Sequence, residues 1–108
     1  MVEPGEIAPR ALKHRLERGE ALVMLDVREP EEIAIASLPG ALHIPMGDIP
    51  SRIGELDPDS EIVVLCHHGL RSAQVAGYLA RMDFERVLNL SGGIDAWSME
   101  VDRSVPRY

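Results

Sequence analysis

The chain has 108 residues, 45% of them hydrophobic and 27% charged, which suits one globular domain spanning residues 1–108 and argues against disordered, collagenous and coiled-coil classes. Eleven Lys and Arg against 18 Asp and Glu give a formal net charge of −7, which speaks against nucleic acid or an anionic membrane as the main partner. The single cysteine, Cys66, excludes an internal disulfide, argues against a cysteine-built zinc site, and is either a small core residue or a chemical group.

The opening Met1-Val2-Glu3-Pro4-Gly5-Glu6 is acidic and broken by proline, without the basic start and apolar centre of a secretory signal. No run approaches the ~20 apolar residues of a membrane span. A cytoplasmic location is expected, where reducing conditions keep a lone thiol usable. Pro9 suits the first position of a helix, where its missing N–H costs nothing. Leu12 and Leu16 then share one face, and Gly19 ends the helix. The continuous apolar run Ala21-Leu22-Val23-Met24-Leu25-Asp26-Val27 predicts a strand covered on both faces.

Glu29-Pro30-Glu31-Glu32 reads as a helix start, where carboxylates meet the positive end of the helix dipole. The helix is expected to run to about Ser37. Leu38-Pro39-Gly40 predicts a turn, Ala41 to Ile44 a short strand stopped by Pro45, and Met46 to Leu56 an irregular, partly helical stretch. Asp57-Pro58-Asp59-Ser60 is a loop. Glu61-Ile62-Val63-Val64-Leu65 is β-branched at three of its five positions and leads straight into Cys66.

After Cys66-His67-His68-Gly69-Leu70-Arg71 the period becomes helical, with Ser72 available as N-cap and Val75, Ala76, Leu79 and Met82 on one face. Arg86 to Leu90 is a further strand, and a helix carrying Ala96 and Trp97 follows Ser91-Gly92-Gly93. The alternating order predicts an α/β fold with a mainly parallel central sheet and helices on both faces. Trp97 and Met82 are assigned to the core, and His14 and His43 to surface and strand.

Ligands of open parallel sheets bind at the carboxyl ends of strands, where Cys66 is placed. A tight glycine-containing loop that opens a helix turns several N–H groups toward one point and makes an anion cradle. Those N–H groups, with Arg71 folded back over the loop, favour a thiolate. Gains in thiolate fraction are largely cancelled by lost nucleophilicity. The cradle is therefore better suited to holding an anionic substrate and a charged covalent intermediate. A cation at Arg71 opposes the helix dipole, so helix stability does not explain it.

The loop Cys66-His67-His68-Gly69-Leu70-Arg71-Ser72 resembles the active-site loop of the rhodanese sulfurtransferases, especially small bacterial single-domain members. Leu25-Asp26-Val27-Arg28-Glu29, the stretch Leu38-Pro39-Gly40-Ala41-Leu42-His43-Ile44-Pro45 and Leu90-Ser91-Gly92-Gly93-Ile94-Asp95-Ala96-Trp97 are similar to three further family motifs in the same order. The resemblance covers about residues 7 to 100. It implies that Cys66 carries sulfur as a persulfide. The donor would be thiosulfate or a similar small anion, and the acceptor cyanide, a thiol or a protein, with no metal or organic cofactor.

By the same resemblance, the backbone of His67, His68, Gly69, Leu70, Arg71 and Ser72 would hold the persulfide and Arg71 the donor's anionic end. Ala36-Ser37 replaces the Gly-His of many relatives, and Asp83 stands where a glycine commonly ends the helix. Asp tolerates the left-handed conformation better than most residues. Lack of a Cys-Gly-Ser-Gly type loop leans the donor toward thiosulfate.

His67 and His68 could act as acid–base groups or, with Cys66, as metal ligands, but adjacent positions lack the spacing of a preformed metal site. They are assigned to the pocket rim. Arg28 is expected to pair with Asp26 or Glu32 and fix the strand end. Gly92-Gly93 is a turn, for no GxGxxG is present, and Glu29 to Glu32 implies no paired-carboxylate chemistry. A sulfur-relay or regulatory module acting on a protein partner is the alternative function. Phosphatase or arsenate reductase chemistry ranks lower, since the four residues between Cys66 and Arg71 are one fewer than in the phosphatase loop.

Overall fold

The computed structural model describes residues 3–108; Met1 and Val2, part of the acidic opening, lie outside the described residues. Five strands form one sheet: β1 (Gly5–Ile7), β2 (Leu22–Asp26), β3 (Leu42–His43), β4 (Glu61–Leu65) and β5 (Val87–Leu90). Their spatial order is β1-β5-β4-β2-β3, and every pairing is parallel. Between them run α1 (Pro9–Glu17), α2 (Pro30–Ile35), α3 (Ile49–Arg52) and α4 (Leu70–Arg81), and α5 (Gly93–Glu100) follows β5.

The central strand explains the architecture. Ile62 and Val64 of β4 enter one core with Leu25, Ile49, Val75, Ala76 and Leu79, whereas Val63 and Leu65 enter the other with Leu12, Ile94 and Trp97. Successive side chains of a strand point to opposite faces, so an unbroken apolar run needs cover on both sides. Here α3 and α4 cover one face and α1 and α5 the other, in accord with the expected α/β layering.

Three local expectations are corrected. No strand is expected before Pro9, yet β1 pairs with β5 in the register Gly5 with Leu88 and Ile7 with Leu90. Only Ile7 of its residues is buried, so it shows no apolar pattern. Ser72 is not the N-cap of α4. Gly69, at φ +101°, occupies that place, and Ser72 is buried inside the first turn. Met82 leaves the core and is 46% exposed, because α4 ends at Arg81 and Asp83 turns the chain at φ +67°. Phe84 enters the core just beyond that turn.

Met46 to Leu56 is irregular as expected, with 3-10 turns at Met46–Asp48 and Ile53–Glu55 on either side of α3. No described helix is long and apolar enough to cross a membrane.

Candidate active site

β4 delivers Cys66 to the carboxyl edge of the sheet, and the loop behind it is fastened from both sides. The carbonyl of Leu65 accepts the N–H of Val27 at 3.1 Å, and the carbonyls of Cys66 and His67 accept the N–H groups of Ile94 and Asp95 at 2.9 and 3.1 Å. These last donors open α5, where first-turn N–H groups have no intrahelical partner. Gly92 and Gly93 turn into that helix at φ +73° and +63°. A Cβ on Gly93 would collide with the backbone of Cys66 and His67, so this glycine is required by close approach as well as by conformation.

Within the loop the chain doubles back on the sulfur. The N–H of Gly69 points at Sγ of Cys66 at 3.1 Å and that of Ser72 at 3.4 Å, while Ser72 Oγ lies 3.3 Å from the same sulfur. Cys66 is 1% exposed. Ser72 Oγ also lies 2.5 Å from Oδ1 of Asn89, whose Nδ2 donates to Glu6 Oε2 at 3.0 Å and to the Gly69 carbonyl at 3.1 Å. Backbone donors converging on sulfur at a helix start can stabilise negative charge on a thiolate or on a sulfur bonded to it.

Arg71 sits beside this cradle with its guanidinium already engaged. Nη1 and Nη2 donate to the two carboxylate oxygens of Glu32 at 2.6 and 2.9 Å. These bonds, backed by the hydroxyl of Tyr108 and the N–H of Glu29, hold the Glu32 carboxyl down at about 2 against the opposing effect of burial. The same pairing raises Arg71 above its ordinary range. Glu32 thus has a place in the site that its reading as a helix-start carboxylate did not foresee.

Arg28 takes the structural role expected of it. It is fully buried, and its Nε and Nη2 donate to Asp26 Oδ1 and Oδ2 at 3.0 and 2.7 Å. Nη2 also reaches the Ala36 carbonyl at 2.7 Å, and Nη1 the Tyr108 hydroxyl oxygen at 2.9 Å. Its own carbonyl lies 2.6 Å from Nε2 of the half-buried His43, which ties β3 to the end of β2.

His67 and His68 form a rim, with a contribution no motif predicted. Tyr108 stacks on His67 with centroids 3.8 Å apart and planes 7° apart, and His68 stacks on the same ring. Burial first, and the neighbouring His68 second, hold His67 below its ordinary imidazole range. Its Nε2 is buried without a hydrogen-bond partner among the described residues.

His67, His68 and Asp95 bring ligand-type atoms within 4.8 Å of one another. Imidazole lone pairs lie in the ring plane, however, so stacked rings aim them side by side instead of at one ion. Asp95 is moreover held by Arg107 at 2.9 Å. Leu70 is 78% exposed and contributes backbone to the loop. Two surface hollows, of about 380 Å³ beside Val105 and about 190 Å³ between Met46 and Tyr78, are lined by no residue of the segment 66–72.

The chain is thus an all-parallel α/β domain with a cysteine in a backbone N–H cradle at the carboxyl edge of its central strand. Residues 8–100 match the family described as the rhodanese-like domain, and the chain belongs to that family. It is 46% identical over 99 residues to "Putative sulfurtransferase YtwF" of Bacillus subtilis, covering 92% of this chain and 95% of that protein. It is 43% identical over 93 residues to a sulfurtransferase of Allochromatium vinosum, covering 86% and 87%. The crystal structure of a rhodanese-like domain protein from Staphylococcus aureus superposes with a TM-score of 0.83 at 30% identity, over 96% of this chain and 98% of that one.

Proposed function

We propose that the protein is a sulfurtransferase that moves a sulfane sulfur from thiosulfate or a similar donor to a thiophilic acceptor through a persulfide on Cys66. The observation that carries this reading is the convergence of the Gly69 and Ser72 N–H groups on the Cys66 sulfur at the mouth of β4. The Cys66 thiolate attacks the outer sulfur of the donor. Its electron pair forms the new S–S bond, the donor's S–S bond breaks, and sulfite leaves with that pair. Cyanide or a thiolate then takes the outer sulfur and the Cys66 thiolate is regenerated. The cycle is ping-pong.

The persulfide is the carrier, so the cycle calls for neither metal nor organic cofactor. The backbone of the segment 67–72 holds the persulfide in this reading, and a reducing cytoplasm keeps the thiol available. As the chain has one cysteine, a second thiol in the cycle comes from the acceptor molecule. That acceptor can be a protein, the relay form of the same chemistry.

Incubation with thiosulfate followed by intact-mass measurement tests the reading. One sulfur atom is gained by the wild-type chain and none by Cys66→Ala, which also forms no thiocyanate from cyanide. Thiocyanate turnover surviving in Cys66→Ala would overturn it.

A further inference from the structure

Arg71 is the cation of the active-site loop, and its charge is matched at hydrogen-bond distance before any donor arrives. Glu32 grips it in a bidentate fork at 2.6 and 2.9 Å, the strongest form of the arginine–carboxylate pair. The carboxylate is itself immobilised. Its Oε1 also accepts the N–H of Glu29 at 3.1 Å, and its Oε2 accepts the hydroxyl of Tyr108 at 2.6 Å. With four donors its lone pairs are used up.

Tyr108 is equally constrained. Its ring stacks on His67 of the loop, and its hydroxyl oxygen accepts Nη1 of Arg28, which is anchored on Asp26. The segment that brings it here is fastened by buried Val105 and by the Arg107–Asp95 pair. Tyr108 lies outside residues 8–100, the stretch that matches the family.

We propose that Glu32, locked by Tyr108, is a positioning element that sets the donor selectivity of the Cys66 site by withholding the charge of Arg71 from incoming anions. The proposal rests on the persulfide reading and deepens it. A dianion such as thiosulfate gains most from a free guanidinium and loses most when a carboxylate stands on it. A donor of lower charge, such as a monoanionic alkanethiosulfonate or an organic persulfide, loses less. With each of these donors the bond change at Cys66 is the same: the thiolate attacks the sulfane sulfur, the donor's bond to that sulfur breaks, and sulfite, a sulfinate or a thiolate departs with the electron pair. Only binding is affected, so the effect falls on KM rather than kcat.

The full-length chain is assayed with thiosulfate and with ethanethiosulfonate, reading KM, kcat and the persulfide on Cys66 by intact mass. Glu32→Gln keeps the shape and removes the charge. It lowers KM for thiosulfate by about fivefold or more, lowers that for ethanethiosulfonate less, and leaves kcat within about twofold. Tyr108→Phe keeps the ring on His67 and removes one donor from Glu32, and it shifts the ratio of the two KM values in the same direction by a smaller factor.

A KM ratio equal to that of the wild type in either variant overturns the proposal while leaving the sulfurtransferase reading intact. A wild-type chain that gains no sulfur from either donor overturns that reading and the proposal with it.

Discussion

Asn89 draws the hydroxyl proton of Ser72 away from the Cys66 sulfur. The amide orientation of Asn89 is fixed because its Nδ2 faces two groups that can only accept, the Glu6 carboxylate and the Gly69 carbonyl. Oδ1 therefore faces Ser72 Oγ at 2.5 Å and takes its one proton. Toward Sγ, 3.3 Å away, the hydroxyl presents a lone pair, and the N–H groups of Gly69 and Ser72 supply the donation the sulfur receives. Ser72→Ala thus strips a donor from the buried Asn89. It should cost about 1–3 kcal/mol in urea unfolding, while thiosulfate still loads Cys66. A folded Ser72→Ala protein that takes up no sulfur would show that the hydroxyl serves the sulfur directly.

The Asp26–Arg28 pair is fully buried at the end of β2. Breaking such a pair leaves one charge desolvated without compensation and costs about 3–5 kcal/mol, whereas replacing both partners by apolar residues costs far less. Asp26→Ala should lower the urea midpoint strongly, and Asp26→Leu with Arg28→Met should recover a large part of the loss. Equal losses in the single and double variants would mean that the bonds from Arg28 to Ala36 and Tyr108 outweigh the ion pair.

Gly93 packs against the very carbonyls that hold the Cys66 loop to α5. Gly93→Ala places a side chain at positive φ, worth about 1–2 kcal/mol by itself, and forces those carbonyls outward. Both the melting temperature and the rate of persulfide formation should fall, the rate being measured well below the new midpoint so that unfolding does not contribute. A normal loading rate in the folded variant would free the loop's geometry from its bonds to Ile94 and Asp95.

What the sequence disclosed follows from the range of each interaction. β4 and β2 were legible because burial on both faces writes an unbroken apolar run, and the placement of Cys66 at the carboxyl edge of the sheet was legible because it directly follows such a run. β1 was hidden, since its place depends on pairing with β5 and only Ile7 enters the core. Ser72 suits an N-cap by residue type, but Gly69 reaches the left-handed backbone that the turn demands. The partners of Arg71 escaped notice because Glu32 and Tyr108 lie far away in sequence, where neither periodicity nor spacing carries a signal. Asn89 was concealed inside an ordinary strand pattern.

Acid should destabilise the fold in two separable windows. The His67 ring is held below its ordinary value of 6.5 by burial first and by His68. Between that value and its lower native one the unfolded chain binds the proton that the folded ring refuses, so stability falls as pH drops through this range. The Glu32 carboxyl is held at about 2 against an ordinary 4.5, chiefly by Arg71. Below about 4.5 the unfolded chain again binds more protons, and the contribution of the pair, complete above that pH, disappears as pH falls toward 2. Melting curves across this range should show His67→Gln flattening the upper window and leaving the lower one. Glu32→Gln should reduce the lower slope without abolishing it, because Glu61 and Asp95, paired with Arg15 and Arg107, are also held low. A Glu32→Gln chain with the full wild-type slope below pH 4.5 would show that the Arg71 pair contributes nothing to folding.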